Sequence, residues 1–255
     1  MTLKIFAEKK DCGLAAAKVA AAKIRAAIAE RGECRIILAT GISQYDMLTQ
    51  LATEPGIDWG KVEFFHLDEY AGLPASHPAS FRRFIKDRLI AKLPAAPKQV
   101  NYIPGDATDL KEALAALGAH LQEKPADVCF IGLGENGHIA FNDPPADFDS
   151  EDAYLVVKLD EVCRNQQLKE GWFATLEDVP TQAVSMSVRQ ILKSRSIINI
   201  VSDSRKIYAV QSTFEGELCP NHPASVIRLH PDCVTFCDVA AAAGLSKITR
   251  DFCSR

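Results

Sequence analysis

Residues 127–145 read "DVCFIGLGENGHIAFNDPP", and the fold turns on how this stretch is taken. Its first half is an apolar run ending in glycine, the pattern of a strand buried on both faces. Its second half carries Gly132-x-Gly134-x-x-Gly137, the spacing of a dinucleotide-binding turn. That fingerprint needs the third glycine to open a helix whose N-terminus holds a pyrophosphate, with an acidic residue about 20 positions further on. Here Pro144-Pro145 follow too soon for a helix of useful length, and the motif lies mid-chain instead of in a first βαβ unit. The reading that remains is a flexible strand-end turn gathering Asn136, His138, Asn142 and Asp143, with an imidazole suited to moving protons near neutral pH.

Similar apolar runs lie on both sides: 35–40 "RIILAT", 62–68 "VEFFHLD", 154–159 "YLVVKL", 183–187 "AVSMS", 197–203 "IINIVSD" and 233–238 "CVTFCD". Separated by helical stretches, they predict an α/β fold, an open, mostly parallel, doubly wound (Rossmann-like) sheet with helices on both faces. Ahead of them Asp11 is placed to cap a long Ala-rich helix that ends at Gly32. Without repeats or a Pro/Gly-rich linker, residues 1–255 read as one domain, and the irregular segment at about 144–182 reads as a lid.

Composition narrows the function. A chain of 255 residues with 47% apolar content can bury a substantial core, and a net charge of -4 gives no global attraction to nucleic acid or anionic lipid. No run approaches the roughly 18 apolar residues of a membrane span, and the N-terminus lacks a signal-peptide core, so a cytoplasmic protein is expected. The 8 cysteines form no CxxC pair and read as reduced, packed thiols. Cys233 and Cys237 fall on one face of a strand, away from any metal.

Ligands of open α/β sheets sit beyond the C-terminal strand ends, and three motifs follow strands directly. "ATGIS" supplies Thr40, Gly41, Ile42 and Ser43 ahead of a helix, either as an anion cradle or, for Ser43, as an ordinary N-cap. "HLDEY" supplies Asp68 and Glu69, where a carboxylate serves as a general base or merely caps a turn. His66 and Asp68 fall on one face by strand alternation, yet with His77 they lack a recognised metal-ligand spacing, so no metal is expected. The third is the glycine turn. Further on, "SDSRKIYAV" sets Arg205 and Lys206 at a helix start, as a phosphate counter-charge or a solvated pair.

In this order "ATGIS", "HLDEYAGLPASHPASF", "IGLGENGHIAFNDPP", "VPTQAVSMSV", "SDSRKIYAV" and "HPASVIRLHPDCVTFCD" resemble the glucosamine-6-phosphate deaminase (glucosamine/galactosamine-6-phosphate isomerase) family over most of the chain. The resemblance implies a metal-free and cofactor-free enzyme that turns an amino-sugar 6-phosphate into a ketose 6-phosphate and ammonium. It gives Asp68 the C2 proton and His138 the ring-opening proton. Thr40, Gly41, Ile42, Ser43 and Lys206 match phosphate-binding positions, and Glu69, Gly137 and Arg164 complete the expected binding set. Asn136 and Asp143 stand where the family pattern has Asp and Glu, so the ring-opening step is the one they bear on. "CRNQQLKEGWF" replaces an "NSRFF"-like lid segment, with Arg164 as the substitute arginine. Alternatives are galactosamine 6-phosphate as substrate, a 6-phosphogluconolactonase, whose pattern reads "DER" where this chain has Asp68-Glu69-Tyr70, and a non-catalytic sugar-phosphate sensor. The expected partner is a small amino-sugar phosphate, with no nucleic acid and no membrane; homo-oligomers occur in the family beside monomers.

Overall fold

The computed structural model describes residues 1–159, 161–169 and 171–253. In chain order the elements are β1 (Thr2–Phe6), α1 (Lys9–Arg31), β2 (Cys34–Leu38), α2 (Tyr45–Leu51), β3 (Val62–His66), β4 (Asp68–Tyr70), α3 (Phe81–Arg88), β5 (Gln99–Asn101) and α4 (Leu110–Gln122). There follow β6 (Val128–Ile131), β7 (Tyr154–Lys158), α5 (Glu161–Lys169), β8 (Gln182–Met186), α6 (Val188–Leu192), β9 (Ile197–Val201), α7 (Ile207–Glu215), β10 (Cys233–Asp238) and α8 (Lys247–Cys253).

Seven strands form one sheet in the order β1-β10-β9-β6-β2-β3-β5, and every pairing in it is parallel. β2, β3, β6 and β9 are buried at every position, so both faces are covered and continuous Val/Ile/Phe runs are what such strands require. The strand order reverses between β2 and β6: β3 and β5 extend one way, β9, β10 and β1 the other. That reversal opens a crevice beyond the carboxyl ends of β2 and β6, the usual ligand position in this architecture.

α1 lies across β1, β2, β6, β9 and β10. Its Ala16, Ala17, Ala20, Ala21 and Ile24 are fully buried, and such small side chains let the helix axis approach the sheet closely. The helix ends as expected at Gly32, whose φ of 77° lets its N–H donate to Ile28 O. Its start differs: Glu8 is the N-cap, with no side-chain cap bond, and Asp11 sits inside the first turn. Strand β1, which places that start, was not read from the sequence.

Two runs expected in the parallel sheet belong elsewhere. β7 and β8 pair antiparallel with each other, and β8 pairs antiparallel with β4, in a separate three-stranded sheet. After buried Tyr154, β7 alternates between half-buried and exposed positions, which suits a sheet with one open face. A small aromatic cluster of Tyr70, Phe141 and Phe173 fills its other side, with Phe81 packed against it. The lid range holds β7 and α5, so it is more regular than its composition suggests; residues 160 and 170 within it lie outside the described residues.

The described cysteines are packed as small apolar groups, apart from half-buried Cys219. Cys233 and Cys237 are both buried on β10. Burial pushes the thiols of Cys12, Cys129 and Cys233 up to about 12. No helix among the described residues is long and apolar enough to cross a membrane.

At the end of the sheet away from the crevice, Arg35 and Glu63 are register partners on β2 and β3, 3% and 5% exposed. Arg35 Nε donates to Glu63 Oε2 at 3.1 Å, while Asn101 Nδ2 (2.9 Å) and the His120 ring (2.6 Å) reach Glu63 Oε1. Burial alone would raise the Glu63 pKa, but bonds from His120 and Asn101 and the Arg35 charge bring it below the usual value. A carboxylate so depressed stabilises the fold above its ordinary pKa, and that contribution is lost as pH falls through the folded value. Glu63→Gln is therefore expected to cost about 3 kcal/mol at pH 7, because it removes the counter-charge of a buried guanidinium that keeps only carbonyl partners, and to flatten the acid limb of stability. Urea unfolding of both proteins from pH 7 down to pH 2 checks this.

Candidate active site

A cleft of about 160 Å³ lies where the sheet order reverses. Four strand ends feed it: Ala39–Ser43 after β2, Leu67 and Asp68 after β3, Gly132–Glu135 and His138 after β6, and Ser202, Asp203, Arg205 and Lys206 after β9. Thr40, Gly41, Ile42, Ser43, Asp68, His138 and Lys206, chosen from the sequence, thus meet in one place.

Asp68 is held there by a strand break. β3 ends at His66; Leu67 bridges, its N–H donating to Leu38 O (3.1 Å) and its carbonyl accepting from Met186 N (2.9 Å). The chain then resumes as β4 against β8, with Asp68 opposite Ser185. Alternation does not carry through the break. Asp68 lines the cleft, whereas His66 is buried outside the cleft lining, its ring edge-on to Tyr102. Burial, with the Arg82 charge, drives His66 down to about 3, so it is neutral. His77 lies apart against Phe173, and among the described residues no three His, Cys, Asp or Glu side chains gather as a metal set.

The Asp68 carboxylate is 9% exposed and its Oδ1 has no hydrogen-bond partner among the described residues. Burial, followed by the Glu69 charge, raises its pKa to about 8. Glu69, expected in the binding set, points away from the cleft. It accepts from Ser80 Oγ (2.7 Å) and from the backbone N–H groups of Tyr70 (2.9 Å), Phe81 (3.2 Å) and Arg82 (2.9 Å), which caps α3. Strand alternation is the reason: adjacent residues of β4 face opposite sides.

His138 owes its position to glycine. A Cβ on Gly134 would lie 2.3 Å from His138 Nε2, so the imidazole rests where a side chain at 134 would be. Gly137 supplies the turn with φ 87° and does not line the cleft; its carbonyl accepts from Ala224 N. The glycine spacing thus serves a histidine turn. The His138 ring nitrogen Nδ1 lies 2.7 Å from Asp143 Oδ1, and Asn136 Nδ2 donates to that same oxygen at 2.9 Å. Asn136 Oδ1 also accepts from the His138 backbone N–H at 3.0 Å. Burial works against the Asp143 carboxylate, but the bond and charge of His138 and the Asn136 amide keep its pKa below the ordinary value. An ionised Asp143 requires Nδ1 to donate, which leaves Nε2 as the working nitrogen. Asn142 is structural: its amide donates to Ile139 O (2.8 Å), Ser185 Oγ (3.0 Å) and Met186 O (2.9 Å), tying the turn to the second sheet.

The loop after β2 enters a 3-10 turn, Ile42–Gln44, before α2, so Ser43 is not an N-cap. Gly41 at φ 100° turns the chain at the cleft. Arg164 is not at the cleft: its guanidinium donates to Leu176 O and to Val179 O (3.1 and 3.2 Å). The residue of α5 that does line it is Gln167, whose Oε1 accepts from Tyr70 OH at 2.6 Å. Lys9, Gln167, Phe81 and Phe141 were not read from the sequence.

A crevice at a parallel-sheet switch point, lined by a buried carboxylate and an oriented histidine, defines an α/β enzyme that acts on a small polar molecule. The family model for glucosamine-6-phosphate isomerases/6-phosphogluconolactonase matches residues 7–236, and the chain belongs to that family. It is 33% identical over 236 residues to glucosamine-6-phosphate deaminase 2 of Giardia intestinalis, covering 91% of this chain and 89% of the relative. To glucosamine-6-phosphate deaminase of Streptococcus sanguinis it is 38% identical over 205 residues, 80% of this chain and 84% of the other. Among solved structures, a monomeric glucosamine-6-phosphate deaminase superposes with a TM-score of 0.88 at 28% identity, covering 96% of this chain and 100% of that one. The 6-phosphogluconolactonase of Trypanosoma brucei superposes at 0.76 with 19% identity, covering 96% and 98%, a likeness of fold.

Gly134→Ala is expected to expel the imidazole from the cleft while leaving the sheet intact; a crystal structure of the variant with His138 in a new rotamer checks this.

Proposed function

We propose that this protein is a glucosamine-6-phosphate deaminase, converting glucosamine 6-phosphate and water to fructose 6-phosphate and ammonium. The observation that carries the reading is that one cleft is lined both by a buried Asp68, whose Oδ1 has no hydrogen-bond partner among the described residues, and by a His138 fixed by Asp143. A pyranose opens when a proton leaves O1 and another reaches O5, and an imidazole whose Nδ1 is held by a carboxylate can perform both transfers in turn through Nε2. Asp68 then takes the proton from C2 and delivers it to C1, through an enolamine; water adds at C2 and ammonium leaves. A carboxylate whose pKa burial raises is a stronger base for a weakly acidic carbon. Asp143 both orients the ring and supplies the charge in this reading, and Asn136 holds the Asp143 carboxylate and the His138 backbone in place. The loss of a methylene relative to Glu does not prevent contact, since Asp143 reaches the ring at 2.7 Å. The phosphate rests against Thr40–Ser43 and Lys206. Such a substrate goes with a cytoplasmic location.

Because Asp68 must be ionised to act, and its pKa is raised to about 8, kcat/KM for ammonium release should climb with pH and level off near that value. Asp68→Asn should lower kcat by at least about a thousandfold. The same raised pKa destabilises the folded state as pH rises through it, so Asp68→Asn should have the higher Tm at pH 9 and little advantage at pH 5. Ammonium release with glucosamine and galactosamine 6-phosphates, followed by thermal melts at both pH values, tests these points. A wild type that hydrolyses 6-phosphogluconolactone and releases no ammonium would replace the reading with the lactonase.

A further inference from the structure

A phosphate monoester carries close to two negative charges, and the cleft must balance them from its own side chains. The basic residues lining it among those described are Lys9, Arg205 and Lys206. Arg205 already faces two carboxylates, Glu135 at 3.5 Å and Asp203 at 3.2 Å. Lys206 lies by that same Asp203, whose pKa is lowered chiefly by the Arg205 bond and further by the Lys206 charge. Among the described residues α5 adds no cation to the lining: Arg164 is spent on backbone carbonyls, exposed Lys169 lies outside the lining, and Gln167 is neutral.

Lys9 differs from all of these. It is half-buried at the first position of α1, lines the cleft, and has neither an ion pair nor a hydrogen bond among the described residues. A helix N-terminus carries a partial positive charge, and Lys9 and Lys10 add two more in the first turn, beside the carboxylates of the N-cap Glu8 and of Asp11. An anion in the cleft offsets both the ammonium and the helix end.

We infer that Lys9 is a phosphate-binding residue of this site, supplying from the N-terminal helix the counter-charge that the α5 segment does not. The inference rests on the sugar-phosphate reading above, but it concerns binding of the phosphate and not the reaction. Lys9 makes its contact equally with substrate and transition state, so its loss acts on KM and not on kcat.

The experiment is calorimetric titration of wild type, Lys9→Met, Lys9→Arg and Arg164→Met with fructose 6-phosphate, and with fructose as the control lacking phosphate, alongside ammonium-release kinetics. Lys9→Met should weaken fructose 6-phosphate binding and raise KM by about tenfold, with kcat within about twofold. Lys9→Arg should recover most of the affinity, and Arg164→Met should bind as wild type does. Lys9→Met binding fructose 6-phosphate like wild type, a wild type that binds it no better than fructose, or a loss confined to Arg164→Met would each overturn the inference. If wild type releases no ammonium while Lys9→Met still loses fructose 6-phosphate, the deaminase reading fails and Lys9 stands. Ammonium release indifferent to Lys9 gives the reverse.

Discussion

The backbone of one residue joins the two sheets, and the site depends on that joint. Leu67 donates to β2 through its N–H and accepts from Met186, at the end of β8, through its carbonyl, so it belongs to both sheets without lying in a strand of either. The next residue, Asp68, thereby lines the crevice together with the glycine turn. Without this junction the 62–70 segment would continue as one strand, and alternation would carry His66 and Asp68 to the same face. The second sheet then does further service, because Ser185 and Met186 receive the Asn142 amide and fix the turn that carries His138.

Two carboxylates of the cleft region are driven in opposite directions by their surroundings. Asp68 has lost solvent without gaining donors at Oδ1, and its neighbour Glu69 repels further negative charge. Asp143 is buried as well, yet one oxygen receives both the His138 ring and the Asn136 amide. The first is suited to accepting a proton and the second to remaining ionised, so environment alone divides base from orienting charge. Asn136 fits this division: an amide strengthens the Asp143 carboxylate by donation, where a second carboxylate at 136 would repel it.

Much of this was legible in the amino-acid order. Continuous apolar runs gave the parallel strands, the rule that ligands sit at carboxyl strand ends selected three loops, and all three meet at the cleft. The misreadings have physical causes. "YLVVKL" and "AVSMS" look like central strands because apolar content does not report pairing direction. β1 and β5 are edge strands with exposed positions, too short and polar to register as runs. Glu69 beside Asp68 reads as a second functional carboxylate, and only the pleat sends it to the start of α3. Arg164 is the arginine of its segment, yet its guanidinium is taken up by the Leu176 and Val179 carbonyls, while Gln167, one turn on along the same helix face, lines the cleft. Lys9 carries no local signature at all; its position follows from the missed strand before it.

The packing of the thiols bears on how this protein can be handled as a material. Sulfur reacts with alkylating agents and peroxide as thiolate, and burial keeps Cys12, Cys129 and Cys233 protonated far above neutral pH. Cys34 and Cys237 are shifted in the same direction. Of the cysteines with a described environment, Cys219 alone reaches partway to the surface, in the segment that follows α7. A maleimide dye or a surface tether offered to the folded protein would therefore find one point of attachment in that set. The same chain, once unfolded, would present every thiol and cross-link, so its tolerance of oxidants is a property of the sheet and not of its composition.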